Sequence, residues 1–252
     1  MTQTTMDGNE AFQSGLKPET RNQKPASPSS LGLLMLQTAF PRILGDVGHE
    51  GTFDFPVRYK VVQEAFPSRV VHQADPKLLD PFIHAARELE DEGAALIGTS
   101  CGFLVLFQEA LAQAVQVPVF SSSLLQVPML QASLSPPGLI GILTANADSL
   151  GAAHFQAAGI DPSRIVVVGL EKAQEFSRVF LDGAEDLDID RCRLEVVRAA
   201  MDLAQNNRVR AIVLECTNLP PYSPNIRQAT GLPVFDVCTM LAQAFTAVAG
   251  RH

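Results

Sequence analysis

The sequence feature that most constrains the fold is an internal repeat. Shifted by 115 positions, residues 95–120 fall on residues 210–235, so that Cys101 aligns with Cys216 and two Pro-Val-Phe runs coincide. Two upstream blocks match in the same order, residues 67–71 with 162–166 and residues 32–39 with 138–145. The spacing between matching blocks changes, which requires insertions or deletions in loops. Four matches in one order indicate a chain built by internal duplication.

Short apolar runs alternate with amphipathic stretches from residue 31 onward, and residues 76–92 are the clearest predicted helix. Apolar strands separated by helices are typical of parallel sheets covered on both faces. The sequence therefore predicts an α/β fold of two pseudo-symmetric parallel lobes, with the active site in the cleft between them. The predicted strands are residues 33–36, 70–72, 95–99, 118–121, 139–143, 165–168, 211–214 and 233–236.

Charge and composition exclude several classes of protein. The net charge is −8 and no basic run stands out, so we expect no nucleic-acid partner. No apolar stretch reaches the roughly 18 residues that span a bilayer, so we expect no membrane partner. Residues 1–30 are polar, predict a disordered tail and carry no secretory signal, which favours a cytoplasmic location with free thiols.

Cofactors are also not expected. The four cysteines show no Cys-x-x-Cys spacing, which argues against a metal site. Neither lobe has a Gly-x-Gly-x-x-Gly sequence after its first predicted strand, which argues against a bound dinucleotide.

Cys101 and Cys216 lie where two lobes can use them together. Each follows a predicted buried strand, and ligands of open parallel sheets bind beyond the carboxyl ends of strands. Nearby helix N-termini favour thiolate over thiol and can hold a carboxylate. Two thiols on opposite sides of one carbon suit a reaction in which one removes a proton and the other returns one.

The segments Thr99-Ser100-Cys101-Gly102 and Glu215-Cys216-Thr217-Asn218-Leu219-Pro220 resemble the two cysteine motifs of the aspartate/glutamate/hydantoin racemase superfamily. The resemblance extends over residues 31–252 and implies catalysis without pyridoxal phosphate or metal. It implies that Cys101 and Cys216 act as opposing acid and base beside a substrate carboxylate. It also implies that the last helix returns to the first lobe, which gives residues 31–134 plus 237–252 as lobe 1 and 135–236 as lobe 2. The implied substrate-binding residues are Gln37, Thr38, Ser100, Gly102, Phe103, Thr144, Thr217 and Asn218.

The first motif departs from the family pattern. Amino-acid racemases of this group usually have Asn-Thr after the first cysteine, where this chain has Gly102-Phe103. A less polar or unusual carboxylate is therefore favoured over glutamate or aspartate. We interpret the chain as an isomerase, a racemase or epimerase of a small carboxylate. The alternatives are a cis–trans isomerase or decarboxylase of the same superfamily, or a binding protein without catalysis; a homo-oligomer is left open.

Three further charged residues bear on the cleft. The segment 39–59 is long for a connection and is interpreted as a lid or a surface loop. Arg42 and Arg58 within it are candidates for a second carboxylate contact, or else solvated surface charges. Glu215 precedes Cys216, and strand alternation is expected to turn it away, so it is not counted as catalytic.

Overall fold

The computed structural model describes residues 1, 29–135 and 138–249, which form two parallel four-stranded sheets with the same strand order. The first sheet has the order β2-β1-β3-β4, with β1 (Ser30–Met35), β2 (Val57–Val61), β3 (Ala94–Thr99) and β4 (Val119–Phe120). The second has the order β6-β5-β7-β8, with β5 (Leu139–Thr144), β6 (Ile165–Gly169), β7 (Val209–Leu214) and β8 (Val234–Phe235). The predicted α/β fold of two parallel lobes is confirmed.

Helices cover the faces of both sheets. They are α1 (Leu79–Asp91), α2 (Gln108–Ala114), α3 (Val127–Ser133), α4 (Ala152–Ala157), α5 (Gln174–Phe176), α6 (Ile189–Ala204), α7 (Ser223–Thr230) and α8 (Val237–Ala249). Short 3₁₀ or π segments are Ser68–His72, Pro76–Leu78, Gly102–Phe107, Ser123–Gln126, Pro162–Arg164, Ser177–Leu181 and Pro220–Tyr222. In the described part of the chain, no helix is long and apolar enough to cross a membrane.

The central strands explain why the duplication is visible in the sequence. All six residues of β1 and all six of β5 are buried, as expected for strands covered on both faces. The pairing of β1 with β3 has an irregularity between Ser30 and Leu31, and the pairing of β5 with β7 has one between Leu139 and Ile140. The two lobes thus repeat a local irregularity as well as the strand order.

The strand predicted at residues 70–72 is wrong. Ser68–His72 is a π-helical turn whose Val70 and Val71 are buried, and the second strand is β2 at the sheet edge. β2 was missed because its residues are only half-buried or exposed, so it carries no apolar run. Residues 67–71 and 162–166, which match in sequence, therefore belong to elements that are not equivalent. The segment 39–59, interpreted as a lid or a surface loop, ends in strand β2.

The last helix, α8, packs on the first sheet. Phe245 stacks on Phe55 with ring centroids 4.0 Å apart. Leu241 lies so close to Gly98 of β3 that a Cβ there would come within 2.8 Å of its Cδ1. The proposed lobe boundaries stay a prediction. The predicted tail over residues 1–30 lies outside the described residues apart from positions 1, 29 and 30, and Ser30 already belongs to β1.

Hydrogen bonds join the two lobes at the ends of their strands. Thr217 Oγ1 donates to the Ser100 carbonyl oxygen at 2.6 Å, and Ser123 Oγ donates to the Leu214 carbonyl oxygen at 2.6 Å. One apolar cluster also includes Ile97 of the first sheet and Val213 of the second. The carboxyl ends of β3 and β7 are thereby held side by side.

Candidate active site

A cleft with a cavity volume of about 30 Å³ lies where the ends of β3 and β7 meet, and both motif cysteines line it. Cys101 follows β3 after one intervening residue, and Cys216 follows β7 in the same way. Polar side chains of the cleft are Thr38, Arg42, Ser100, Glu215, Thr217 and Asn218, and its aromatic ones are Phe40, Phe103 and Phe180.

Both cysteines are free thiols with little exposure, 8% for Cys101 and 9% for Cys216. Burial raises the pKa of each thiol well above its ordinary value, and the charge of Glu215 raises both pKa values further. Backbone N–H groups act in the opposite sense: those of Phe103 and Leu104 on Cys101, and that of Asn218 on Cys216. Burial therefore favours the protonated thiols, but donors that can stabilise a thiolate are already in place.

The segment between β1 and β2 contributes a polar chain that reaches Cys216. Arg42 Nη1 lies 2.7 Å from Asp46 Oδ1, and Arg42 Nη2 donates to Thr38 Oγ1 at 3.1 Å. Asn218 Nδ2 donates to Asp46 Oδ2 at 2.6 Å, and Asn218 Oδ1 lies 3.6 Å from the Cys216 sulfur. The buried Asp46 carboxylate thus orients both Arg42 and Asn218. Asp46 was not among the predicted site residues.

The exclusion of Glu215 from the site is corrected by the structure. Its side chain lines the cleft and is 0% exposed. Oε2 accepts a hydrogen bond from Thr144 Oγ1 at 2.7 Å, while Oε1 has no hydrogen-bond partner among the described residues. Burial raises the pKa of this carboxyl to about 7. The backbone of Glu215 still pairs with β5, because its N–H donates to the Leu143 carbonyl oxygen at 2.8 Å. Turning away from Cys216 does not take the side chain out of the cleft, since it meets Gly102 of the first lobe.

Gly102 is explained by the position of Glu215. A Cβ atom on residue 102 would overlap both the side-chain carboxylate and the backbone carbonyl oxygen of Glu215. The space that a side chain after the first cysteine would fill is therefore taken by Glu215. This accounts in physical terms for the departure of the first motif from the family pattern.

Most of the predicted site residues meet at the cleft, but two do not line it. Gln37 Oε1 accepts from the backbone N–H of Glu64 at 2.8 Å, beside a neighbouring opening. Thr144 is buried and contacts Glu215 instead. Those that line the cleft are Thr38, Ser100, Cys101, Gly102, Phe103, Cys216, Thr217 and Asn218, and their roles stay predictions.

Of the two arginines of the 39–59 segment, only Arg42 lines the cleft. Arg58 Nε donates to Ser30 Oγ at 3.1 Å instead. Within residues 29–135 and 138–249, no group of His, Cys, Asp or Glu side chains could hold a metal ion.

Similarity to known proteins shows the family. The Asp/Glu/Hydantoin racemase family model matches residues 64–245. Dimethylsulfoniopropionate lyase 7 of Emiliania huxleyi (strain CCMP1516) is 34% identical over 221 residues, 83% of this chain and 64% of that protein. A dimethylsulfoniopropionate lyase of Durusdinium sp. clade D is 34% identical over 228 residues, 87% of this chain and 75% of that protein. The chain thus spans less than two thirds of the Emiliania huxleyi relative.

A solved structure also shows the fold. Picrophilus torridus aspartate racemase superposes with a TM-score of 0.54 at 16% identity, covering 89% of this chain and 95% of that one. At this identity the likeness concerns the fold alone.

The prediction of a racemase or epimerase, and with it the class of isomerase, is wrong, because the relatives similar over most of the chain are lyases. A pair of cysteines in one cleft does not by itself distinguish an isomerase from a lyase. The alternative that included a decarboxylase, itself a lyase, agrees better with these relatives. With its repeated lobes, its paired cysteines and a family match over residues 64–245, the chain belongs to the Asp/Glu/Hydantoin racemase family.

Proposed function

We propose that this protein is a lyase that cleaves dimethylsulfoniopropionate, or a closely similar β-sulfonio carboxylate, into dimethyl sulfide and an unsaturated acid. The observation that carries the proposal is the pair of cysteines in one buried cleft, in a chain 34% identical to dimethylsulfoniopropionate lyases over 83–87% of its length. The activity is a proposal for this chain because some of those relatives are considerably longer.

The proposed chemistry begins with the same proton removal that a racemase performs. A thiolate of the cysteine pair removes a proton from the carbon next to the carboxylate. The electron pair of that C–H bond forms a carbon–carbon double bond, and the bond to the sulfonium sulfur breaks. Dimethyl sulfide leaves as a neutral molecule, the unsaturated carboxylate remains, and the proton stays on the cysteine until solvent accepts it. In a racemase a proton then returns to the same carbon, whereas in the proposed lyase reaction the leaving group is lost instead.

The cleft supports this chemistry in two ways. Arg42 has guanidinium N–H groups beyond those that contact Asp46 and Thr38, and these can bind the substrate carboxylate. A sulfonium cation close to the buried thiols favours the thiolate form, because an opposite charge lowers the pKa of a thiol. The base would then form only when the substrate is bound.

The test is a direct assay on the full chain. Incubation with dimethylsulfoniopropionate should release dimethyl sulfide and acrylate in equal amounts, measured by headspace gas chromatography and proton NMR. At least one of Cys101→Ser and Cys216→Ser, the variant that lacks the base, should lose activity by about 10²–10⁴-fold, the usual contribution of a positioned acid or base. Cys192→Ser is the matched control, because Cys192 is buried in α6 outside the cleft lining. An inactive wild-type chain, or full activity in both cleft variants, would overturn the proposal.

A further inference from the structure

We infer that Glu215 is the counter-ion for a fixed positive charge on the substrate, so that the cleft selects small carboxylates that carry an onium group. The inference rests on the proposed function and names the substrate class that the site accepts. It is independent of which cysteine removes the proton.

The first observation is a buried oxygen without a partner. Glu215 is fully buried and lines the cleft, and Thr144 satisfies only its Oε2 atom. Oε1 has no hydrogen-bond partner within the described residues and is buried beside Gly102, so a ligand would act on it through charge and not through a hydrogen bond. A buried carboxylate oxygen left unpaired is strongly unfavourable, so a ligand that supplies positive charge there gains interaction energy.

The second observation is that the protein does not supply that charge itself. Arg42 is the sole cationic side chain among the described residues that line the cleft. Its guanidinium is already 2.7 Å from Asp46 Oδ1. Glu215 is therefore a cleft anion without a protein cation of its own.

The third observation is the aromatic lining. Phe40, Phe103 and Phe180 all line the cleft, and the faces of such rings attract cations. The ring of Phe40 already has the Arg42 guanidinium carbon 4.8 Å from its centroid. A sulfonium or quaternary ammonium group has no N–H to donate, so a carboxylate together with ring faces is the environment that suits it.

The charge state of Glu215 makes the inference measurable. The Cys101 and Cys216 thiols and the Thr144 hydroxyl lie around it. The other charged groups nearby are Arg42, which lines the cleft, and Asp46, which binds Arg42 and Asn218. Burial raises the pKa of Glu215 to about 7, and a bound cation would lower it. A cationic ligand should therefore bind more tightly as pH rises through about 7, and its binding should release protons below that pH.

The experiment uses two ligands of the same shape that share a carboxylate and differ at the other end. One has a quaternary ammonium group and the other an uncharged tert-butyl group, after which they are called the cationic and the neutral ligand. These are 3-(trimethylammonio)propionate and its carbon counterpart 4,4-dimethylpentanoate, with binding to the full chain measured by calorimetry and the ligands recovered intact. The wild-type protein should bind the cationic ligand at least about tenfold more tightly. Glu215→Gln should reduce that preference to about twofold or less, while still binding the neutral ligand. Glu109→Gln, an exposed carboxyl on α2, is the control and should keep the wild-type preference.

A second measurement needs no variant. In the wild-type protein, the preference for the cationic ligand should fall several-fold between pH 8 and pH 6, while binding of the neutral ligand changes little. Equal binding of the two ligands, or a preference that Glu215→Gln retains, would overturn the inference. An active lyase without charge preference would contradict only this inference, whereas absence of dimethyl sulfide release would reject the proposed function.

Discussion

The Glu215 side chain occupies the space that a side chain on Gly102 would need, although 113 positions separate the two residues in the sequence. One follows the first motif cysteine and the other precedes the second, so the duplication brings their backbones together. A side chain at position 102 and a carboxylate at position 215 cannot both occupy the geometry seen here. The two motifs are therefore coupled through their flanking residues as well as through their thiols.

We expect Gly102→Ala to displace Glu215 and to destabilise the protein by about 1–3 kcal/mol, the usual range for overpacking. Lyase activity should fall with it. Urea unfolding and the dimethyl sulfide assay measure the two effects. The double variant Gly102→Ala with Glu215→Ala should recover part of the stability, because one of the two overlapping groups is gone.

Gly151→Ala is the control, since a Cβ there would meet nothing within 4 Å. Unchanged stability in Gly102→Ala would show that the Glu215 carboxylate lies elsewhere.

We expect Asp46→Asn to weaken the polar chain from Arg42 to Asn218 and to lower kcat/KM by at least about tenfold. Hydrogen bonds to a charged group contribute about 1.5–3 kcal/mol, so the free energy of unfolding should also fall measurably. Asp75→Asn removes a more exposed carboxylate, which accepts from Arg69 at 2.7 Å, and should change stability less than Asp46→Asn does, because solvent screens an exposed ion pair. If Asp46→Asn kept full activity, orientation of Asn218 by Asp46 would not matter for the reaction.

We expect the buried Glu215 carboxyl to make the protein less stable as pH rises. Its pKa in the folded state is about 7, above the ordinary value of 4.5, so the folded state holds this proton more tightly than the unfolded state. The contribution of this group is therefore most favourable below about pH 4.5 and is lost as pH rises to about 7, by up to about 3 kcal/mol.

Glu215→Gln should remove that dependence. The difference in unfolding free energy between the variant and the wild type, measured in urea at several pH values, isolates the effect of this one carboxyl. A difference that stays constant from pH 4.5 to pH 7.5 would contradict a raised pKa for Glu215.

We expect Arg42→Ala to raise KM for the carboxylate substrate by at least about tenfold, because Arg42 is the cleft-lining arginine. Arg42→Lys should recover only part of the loss, since lysine keeps the charge but not the planar set of donors. Arg58→Ala is the matched control from the same segment, because Arg58 contacts Ser30 instead. An equal rise of KM in the Arg42 and Arg58 variants would indicate a long-range effect of charge.

The sequence was sufficient to predict the two lobes because their central strands are apolar on both faces and are repeated. The edge strand β2 was missed because Arg58 and Lys60 break the continuous apolar run, although the alternation over residues 57–61 is itself typical of a half-buried strand. Glu215 was excluded because alternation concerns only its direction relative to Cys216, whereas the other lobe brings Gly102 against its side chain. Asp46 gives no local signal at all: its importance comes from contacts with Arg42 and the distant Asn218.

The class of reaction is the property that the sequence predicted least well. The thiols and their surroundings are compatible with any reaction that begins by removing a proton beside a carboxylate. The fate of the carbanion depends on the leaving group of the substrate, which no residue of the cysteine motifs encodes.

The hydrogen bonds from Thr217 to Ser100 and from Ser123 to Leu214 have a kinetic consequence. Because they join the lobes at the floor of the cleft, a hinge motion that separated the lobes would break buried hydrogen bonds and divide a continuous apolar cluster. A small molecule would reach the thiols more easily through displacement of lining segments away from this junction, such as those that contain Phe40 and Leu181. The rates of substrate uptake and product release would then be set by local loop fluctuations, which are faster than the collective motions of whole domains.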